Sequence, residues 1–191
     1  MMTRRFPWPF ARRQSRPPAH APTIEVIYGT IVAQARRPDF YQRFGVPDTV
    51  NGRFDMVVLH LWMVLRRLRA LGASDTAQAV FDDFCNDMDG NLREMGVGDL
   101  AVPKRMLKFG EAFYGRSRAY DAAIATESGE LAAALARNVF LSDDSQEGMQ
   151  LAKYVGDALG ALDACEGATL LSGVWQFPAP VATRVESRAQ Q

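Results

Sequence analysis

Histidine, cysteine and long apolar runs are scarce in this chain, and each shortage removes a class of function. Only His20 and His60 stand among 191 residues. One lies in a proline-rich basic arm and the other in an apolar helix, so no pair of histidines has metal-ligand spacing. A lone histidine on an apolar face reads as a satisfied core residue. The two cysteines, Cys85 and Cys165, sit on apolar helix faces without an even-spaced framework, which fits buried thiols in a reducing compartment. Asp82, Asp83, Asp87 and Asp89 surround Cys85 in sequence and oppose a thiolate, so a Cys85–His60 nucleophile pair is disfavoured. The longest apolar run, Met56 to Leu65, is bracketed by Arg53 and Arg66 and falls short of the ~20 residues that span a bilayer. Pro7, Pro9 and Arg12 interrupt any apolar stretch after the first arginines, which argues against a secretory or twin-arginine signal. Pro17 and Pro18 further oppose the long amphipathic helix of a transit peptide. Net charge is missing too, with 22 basic against 22 acidic groups. Affinity for nucleic acid through counterion release is therefore limited, and no DNA partner is expected.

What is present is an ordinary globular composition, 48% hydrophobic and 23% charged, enough for one domain with a real core. The charge is uneven. Arg4, Arg5, Arg12, Arg13 and Arg16 precede the first acid, Glu25, so a basic arm precedes an acidic body. Residues 1–22 read as a disordered Pro-rich arm, 23–177 as a helical domain and 178–191 as a disordered tail. Within the arm, Phe6, Trp8 and Phe10 alternate beside Arg4, Arg5, Arg12 and Arg13, a combination suited to peripheral contact with an anionic membrane.

No stretch alternates well enough for a sheet and no repeat is visible, so the expected fold is all-α, a compact single-domain bundle of about six helices with an extended C-terminal tail. Helix one is expected over Thr23–Arg36, with Ile24, Ile27, Ile31 and Ala35 inward, ended by Pro38. The linker 39–51 carries Phe40, Tyr41, Phe44 and Val46 and must pack against the body. Helix two, Gly52–Leu71, is apolar almost all round and should be surrounded by others. Helix three, Asp75–Met95, opens with Asp75 and Gln78 at capping-box spacing, buries Ala77, Val80, Phe81, Phe84, Met88 and Leu92, and turns its aspartates outward, balanced in part by Arg66, Arg67 and Arg69. Helix four is expected from Pro103 to Thr126. Helix five starts at Ser128 or Glu130 and ends near Leu141. Helix six follows an Asp144–Glu147 capping box, buries Met149, Ala152, Val155, Leu159 and Leu162, and runs up to Gly167. Leu170, Leu171, Val174, Trp175 and Phe177 should be extended, lidding the core or docking into a groove.

The stretch Asp87–Arg116, DMDGNLREMGVGDLAVPKRMLKFGEAFYGR, is the piece the rest is arranged around. Gly96 suits the left-handed residue after helix three, Gly98–Val102 is a short elbow, and Pro103 suits the start of helix four. Gly110 and Gly115 inside that helix cost roughly 1 kcal/mol each against Ala, and close approach of another helix is the expected reason. Motifs for small-molecule chemistry dissolve on inspection. Asp87-x-Asp89-x-Asn91 begins like a calcium loop, but Leu92 and Gly98 occupy the positions that need Gly and Glu. Gly96-Val-Gly98-Asp-Leu-Ala101 follows a helix and not a strand. No cofactor and no metal site is expected. Glu94, Asp99 and Glu111 with Arg116 form the one constellation on which an enzyme acting on a small ligand would rest. Lys104, Arg105, Lys108, Arg116 and Arg118 are what an RNA- or ribosome-binding module would use.

The segments IYGTIVAQAR, GVPDT, GRFDMVVLHLWMVLRRL, FDDFCNDMDGNLREMGVGDLAVPKRMLKFGEAFYGR and AYDAAI together resemble the ubiquinol–cytochrome c chaperone family, assembly factors of the cytochrome bc1 complex. The resemblance covers about Ile27 to Ile124. It implies an all-helical, non-enzymatic protein that binds newly made cytochrome b or other bc1 subunits, with a small partner protein, close to the ribosome. By the same resemblance the chain would work in the cytoplasm or peripherally at the inner membrane, or on the matrix side in a mitochondrion. The excess of Arg over Lys points to a bacterial member. The expected client surface is Met95, Phe109, Phe113 and Tyr114, framed by Asp99, Lys104, Arg105, Lys108 and Arg116, because adaptable methionines and aromatic rings accommodate apolar segments.

Overall fold

The middle of the helix Val50–Ala70 is enclosed on every side. All ten residues from Met56 to Leu65 are buried, as a helix without a polar face requires. The computed structural model describes residues 21–126 and 129–182, and among these every regular element is helical. In chain order they are α1 (Ala21–Ala35), α2 (Pro38–Gln42), α3 (Val50–Ala70), α4 (Ser74–Glu94), α5 (Val102–Ile124), α6 (Glu130–Leu135), a π-helical turn (Ala136–Phe140), α7 (Ser145–Ala164) and α8 (Gly167–Ser172). Around α3 pack α1, α4, α5, α7 and the π-turn. The all-helical architecture expected from periodicity is the architecture found.

Ile24, Ile27, Ile31 and Ala35 of α1 are buried, as their spacing predicts. Pro38 both stops α1 and opens α2, because its fixed φ and missing N–H suit a first helical turn. The aromatic linker packs as expected, with Phe40, Phe44 and Val46 in the core. Thr49 caps α3, its hydroxyl accepting from the Gly52 amide at 3.1 Å.

His60 is the satisfied core residue anticipated. Its Nδ1 lies 2.8 Å from the Met56 carbonyl, which can only accept, so Nδ1 carries the hydrogen and Nε2 is left as an acceptor. The Tyr154 hydroxyl, 2.8 Å away, therefore donates to Nε2, and Gln34 Nε2 donates to that hydroxyl at 2.9 Å and to the Pro178 carbonyl at 3.0 Å. Burial lowers the His60 pKa from 6.5 to about 4. Phe40 and Phe177 meet its ring edge-on, with centroids 5.3 Å and 5.0 Å away.

Several expectations fail for identifiable reasons. Asp75 and Gln78 do not form a capping box. The N-cap of α4 is Ala73, without a side-chain bond, and Gln78 donates instead to Asp82 one turn on. Arg66 and Arg67 do not balance the aspartates of α4. They turn toward Asp121 and toward the Asp163 and Cys165 carbonyls. Asp87 is served by the Tyr28 hydroxyl of α1 at 2.7 Å and by Asn91, and Asp89 by Arg93. Gly115 faces open space. The close helix approach is at Gly148 of α7, where an added Cβ would overlap the Ala132 carbonyl oxygen and lie 2.8 Å from its carbon. The buried face of α7 is also rotated from the expected one. Leu151, Tyr154, Val155, Ala158 and Leu162 are inward, while Met149 is 51% exposed. Asp144 does cap α7, accepting from the Gln146 amide at 2.9 Å. Residues 167–172 are helical and not extended. Leu170 and Phe177 are buried, whereas Val174 is exposed. Pro180 is buried as well, so the chain still lies on the body past Phe177.

Candidate functional site

The α4–α5 elbow is built by hydrogen bonds that the sequence encodes. Gly96, at φ +78°, follows the C-cap Met95. Its amide bonds the Arg93 carbonyl at 2.9 Å, and the Val97 amide bonds the Leu92 carbonyl at 3.0 Å. These two bonds are the Schellman closure, which needs a left-handed residue at that position. Arg93 then ties the elbow to its own helix, pairing with Asp89 at 2.6 Å and with Asp99. The chain turns and α5 begins with Pro103 in its first turn.

Beside the elbow lies a groove of about 880 Å³ lined by residues of α4, α5, the start of α3 and the turn before α7. Met88, Asn91, Leu92 and Met95, spaced three and four apart, line it from α4. Lys108, Phe109, Ala112 and Arg116 line it from α5. Its floor is the first turn and a half of α3, including Phe54 and Asp55, and its far side is formed by Val139 of the π-turn and Leu141. Phe109 stacks on Phe54 with ring centroids 5.0 Å apart. The Arg116 guanidinium carbon stands 5.9 Å from the Phe54 centroid, within the range of a cation–π contact. Three residues of the rim, Val50, Met95 and Leu141, are large, apolar and exposed. Leu141 holds φ +55°, a left-handed conformation unfavourable for a branched side chain, and the turn before it is π-helical, a feature frequent at functional sites.

The lining itself holds a charge pair. Arg116 Nη2 is 2.7 Å from Asp55 Oδ1, and Asp55 is buried. Burial outweighs the guanidinium and raises the Asp55 carboxyl from 3.8 to about 6. Arg116 Nε is also buried and has no acceptor among the described residues.

Of the residues expected to form a client surface, the structure brings together Met95, Lys108, Phe109 and Arg116 in the groove. Lys104 and Arg105 stand one turn earlier on the same face of α5, exposed, beyond the groove lining. Asp99 is 87% exposed at the elbow and paired with Arg93. Phe113 is a correction of another kind. It is 1% exposed, stacked on Phe81 at 4.9 Å, and presents no surface. Tyr114 lies on the side of α5 away from the groove, its ring against Phe81 at 5.9 Å. Arg4, Arg5, Phe6, Trp8, Phe10, Arg12 and Arg13 lie outside the described residues. The carboxylates an enzyme would have needed do not converge. Glu94 reaches the groove, but Asp99 and Glu111 are not among its lining residues. Cys85 is pushed up to about 11 by burial and by Asp82, as its acidic neighbours suggest.

Sequence reasoning missed Phe54 and Asp55. A single acid inside the otherwise apolar FDMVVLHL run is a signal that it has a buried partner. The π-turn and Leu141 left no comparable trace.

A model of the ubiquinol-cytochrome C chaperone family matches residues 42–177. Ubiquinol-cytochrome-c reductase complex assembly factor 1 of Xenopus laevis is 28% identical over 149 residues, covering 76% of this chain and 74% of that protein. The human protein of that name is 30% identical over 149 residues, covering 76% of this chain and 50% of its own, so the chain spans half the length of that relative. Protein CBP3, mitochondrial, of Saccharomyces cerevisiae is 28% identical over 149 residues. The crystal structure of the Cbp3 homolog from Brucella abortus aligns with a TM-score of 0.74 at 38% identity, covering 83% of this chain and 90% of that one. A match over most of the helical body, joined to a shared fold at that identity, means that this chain belongs to the ubiquinol-cytochrome C chaperone family.

Proposed function

We propose that this chain is a non-enzymatic assembly chaperone that binds newly made cytochrome b and holds it for incorporation into the ubiquinol–cytochrome c reductase complex, using the α4–α5 groove as its contact surface. The observation that carries this reading is the groove itself. It is open, walled by Phe54, Met88, Leu92, Met95 and Phe109, and rimmed by exposed apolar side chains. A large exposed apolar patch bordered by polar groups marks a binding surface for another macromolecule. Met88 and Met95, both on the α4 side, can repack around different apolar segments. The family supplies the class of client, since the relatives are named as assembly factors of this complex. Among the described residues no helix is long and apolar enough to cross a membrane, so a peripheral position beside the membrane is part of this proposal.

The test is affinity capture from detergent-solubilised membranes with the tagged full-length chain, scored for cytochrome b. Capture by the wild type and a loss of at least about tenfold with Phe109→Asp, which places a charge among apolar groups, is the expected result. Capture of no bc1 component, or turnover of a metabolite that depends on Glu94, would overturn the proposal.

A further inference from the structure

The groove is not electrically neutral. Its lining holds four cations, Arg36, Arg53, Lys108 and Arg116, against two carboxylates, Asp55 and Glu94. Two of the cations are already engaged, Arg53 by Asp48 at 2.6 Å and Arg116 by Asp55 at 2.7 Å. Arg36 and Lys108 are exposed and have no ion-pair partner among the described residues. A segment entering the groove covers these groups and removes their water. A neutral or basic segment leaves them unpaired or repelled, whereas carboxylates satisfy them.

Resting on the reading of the groove as the docking surface, we propose that its occupant is an acidic amphipathic helix: apolar residues three and four apart fill the space between α4 and α5, and flanking carboxylates pair with Lys108 and Arg36. At about 880 Å³ the groove lies at the upper end of the roughly 300–1,000 Å³ typical of small-molecule pockets. An apolar groove walled by Phe54, Met88, Leu92, Met95 and Phe109 suits helix-in-groove recognition, in which the bound helix supplies anchors at i, i+3, i+4 and i+7. An acyl chain fits less well. Thr49, Asn51 and Asn91 lie within the lining, Thr49 and Asn91 already bonded to Gly52 and Asp87, and lipid tails would leave their remaining donors and acceptors unpaired. Polypeptide side chains can pair with them.

The full-length protein is challenged with a displayed library of helices of about 14 residues, with Leu fixed at i, i+3, i+4 and i+7 and with Glu, Lys or Gln allowed at the flanking sites. Selected helices are expected to be enriched in Glu over Lys by at least about tenfold, a preference equivalent to about 1.4 kcal/mol. The enrichment should reverse with the double variant Arg36→Glu/Lys108→Glu. Both side chains are exposed, and an unchanged thermal melt confirms that this variant folds. Selection without acidic bias, no selected binder, or binders indifferent to the double variant would overturn the proposal. Co-sedimentation with phosphatidylglycerol vesicles that the double variant abolishes, without any preference for acidic helices, would assign the groove to lipid and overturn it equally. Wild-type protein that captures cytochrome b but selects uncharged helices would refute the charge rule alone. Acidic selection without cytochrome b capture would refute the chaperone reading alone.

Discussion

Asp55 and His60 lie five residues apart on α3, both buried and both held toward their neutral forms, and their effects on stability run in opposite directions with pH. Burial raises the Asp55 carboxyl from 3.8 to about 6. The folded protein therefore keeps a proton there that the unfolded chain releases, and the resulting stability is present below pH 4 and lost as the pH climbs through 6. At 1.36 kcal/mol per pH unit, that amounts to about 3 kcal/mol. Burial lowers His60 from 6.5 to about 4. Here the unfolded chain takes up a proton that the fold refuses, so stability is present above 6.5 and lost as the pH falls toward 4, again by about 3 kcal/mol. Between pH 4 and 6 the two slopes nearly cancel. Replacing Asp55 with Asn removes one of them and keeps an acceptor for Arg116. Urea unfolding at pH 4, 5, 6 and 7, at constant ionic strength, is followed by helical circular dichroism. Relative to the wild type, the variant should lose about 3 kcal/mol more on acidification from pH 7 to 4. His60→Gln should deviate in the opposite sense. Taking the difference from wild type removes the contribution of every other carboxylate. Wild-type and Asp55→Asn profiles that stay parallel over this range would refute the reasoning.

Further substitutions test the packing. Arg116→Met leaves Asp55 buried without its cation and should cost about 3–5 kcal/mol at pH 7, with much of the loss restored in the double variant Asp55→Asn/Arg116→Met; chemical denaturation of all three reads this directly. Gly148→Ala forces a methyl against the Ala132 carbonyl and should destabilise by about 1–3 kcal/mol, measured as a lower thermal midpoint, while Gly115→Ala, facing open space on an exposed helix, should be neutral or stabilising. Tyr154→Phe takes the donor from His60 Nε2 and the acceptor from Gln34, and should cost about 1–3 kcal/mol with a rise in the His60 pKa visible by NMR titration of its ring protons.

The parts of this structure legible in the sequence were those with a local cause. The buried stripes of α1, α3 and α4 follow from spacing alone, and so does Gly96 at the elbow, because each is decided within a turn or two of helix. The register of α7 was not. Its helix carries small residues on several sides, Gly148, Ala152, Gly156 and Ala158 among them, so hydrophobic spacing does not single out one face, and the tight crossing with α6 at Gly148 decides it. Sequence likewise brought Met95, Lys108, Phe109 and Arg116 to one site because they flank one elbow. It missed Arg36, Phe54, Asp55 and Leu141, which reach the same groove from three other parts of the chain. Phe113 was misjudged against its own spacing, since it stands four and seven residues before Ser117 and Tyr120, which are buried with it on the inward face of α5.

The bond from Gln34 to the Pro178 carbonyl spans 144 positions, and Phe177 closes over His60 from the same strand of chain. The first helix is thus fastened by residues made well over a hundred positions after it. While the polypeptide is still emerging, α1 and α3 can associate but their shared polar node stays open to water. A nascent chain halted before residue 178 lacks this closure and should resemble a loosened, protease-sensitive body rather than a shortened native one.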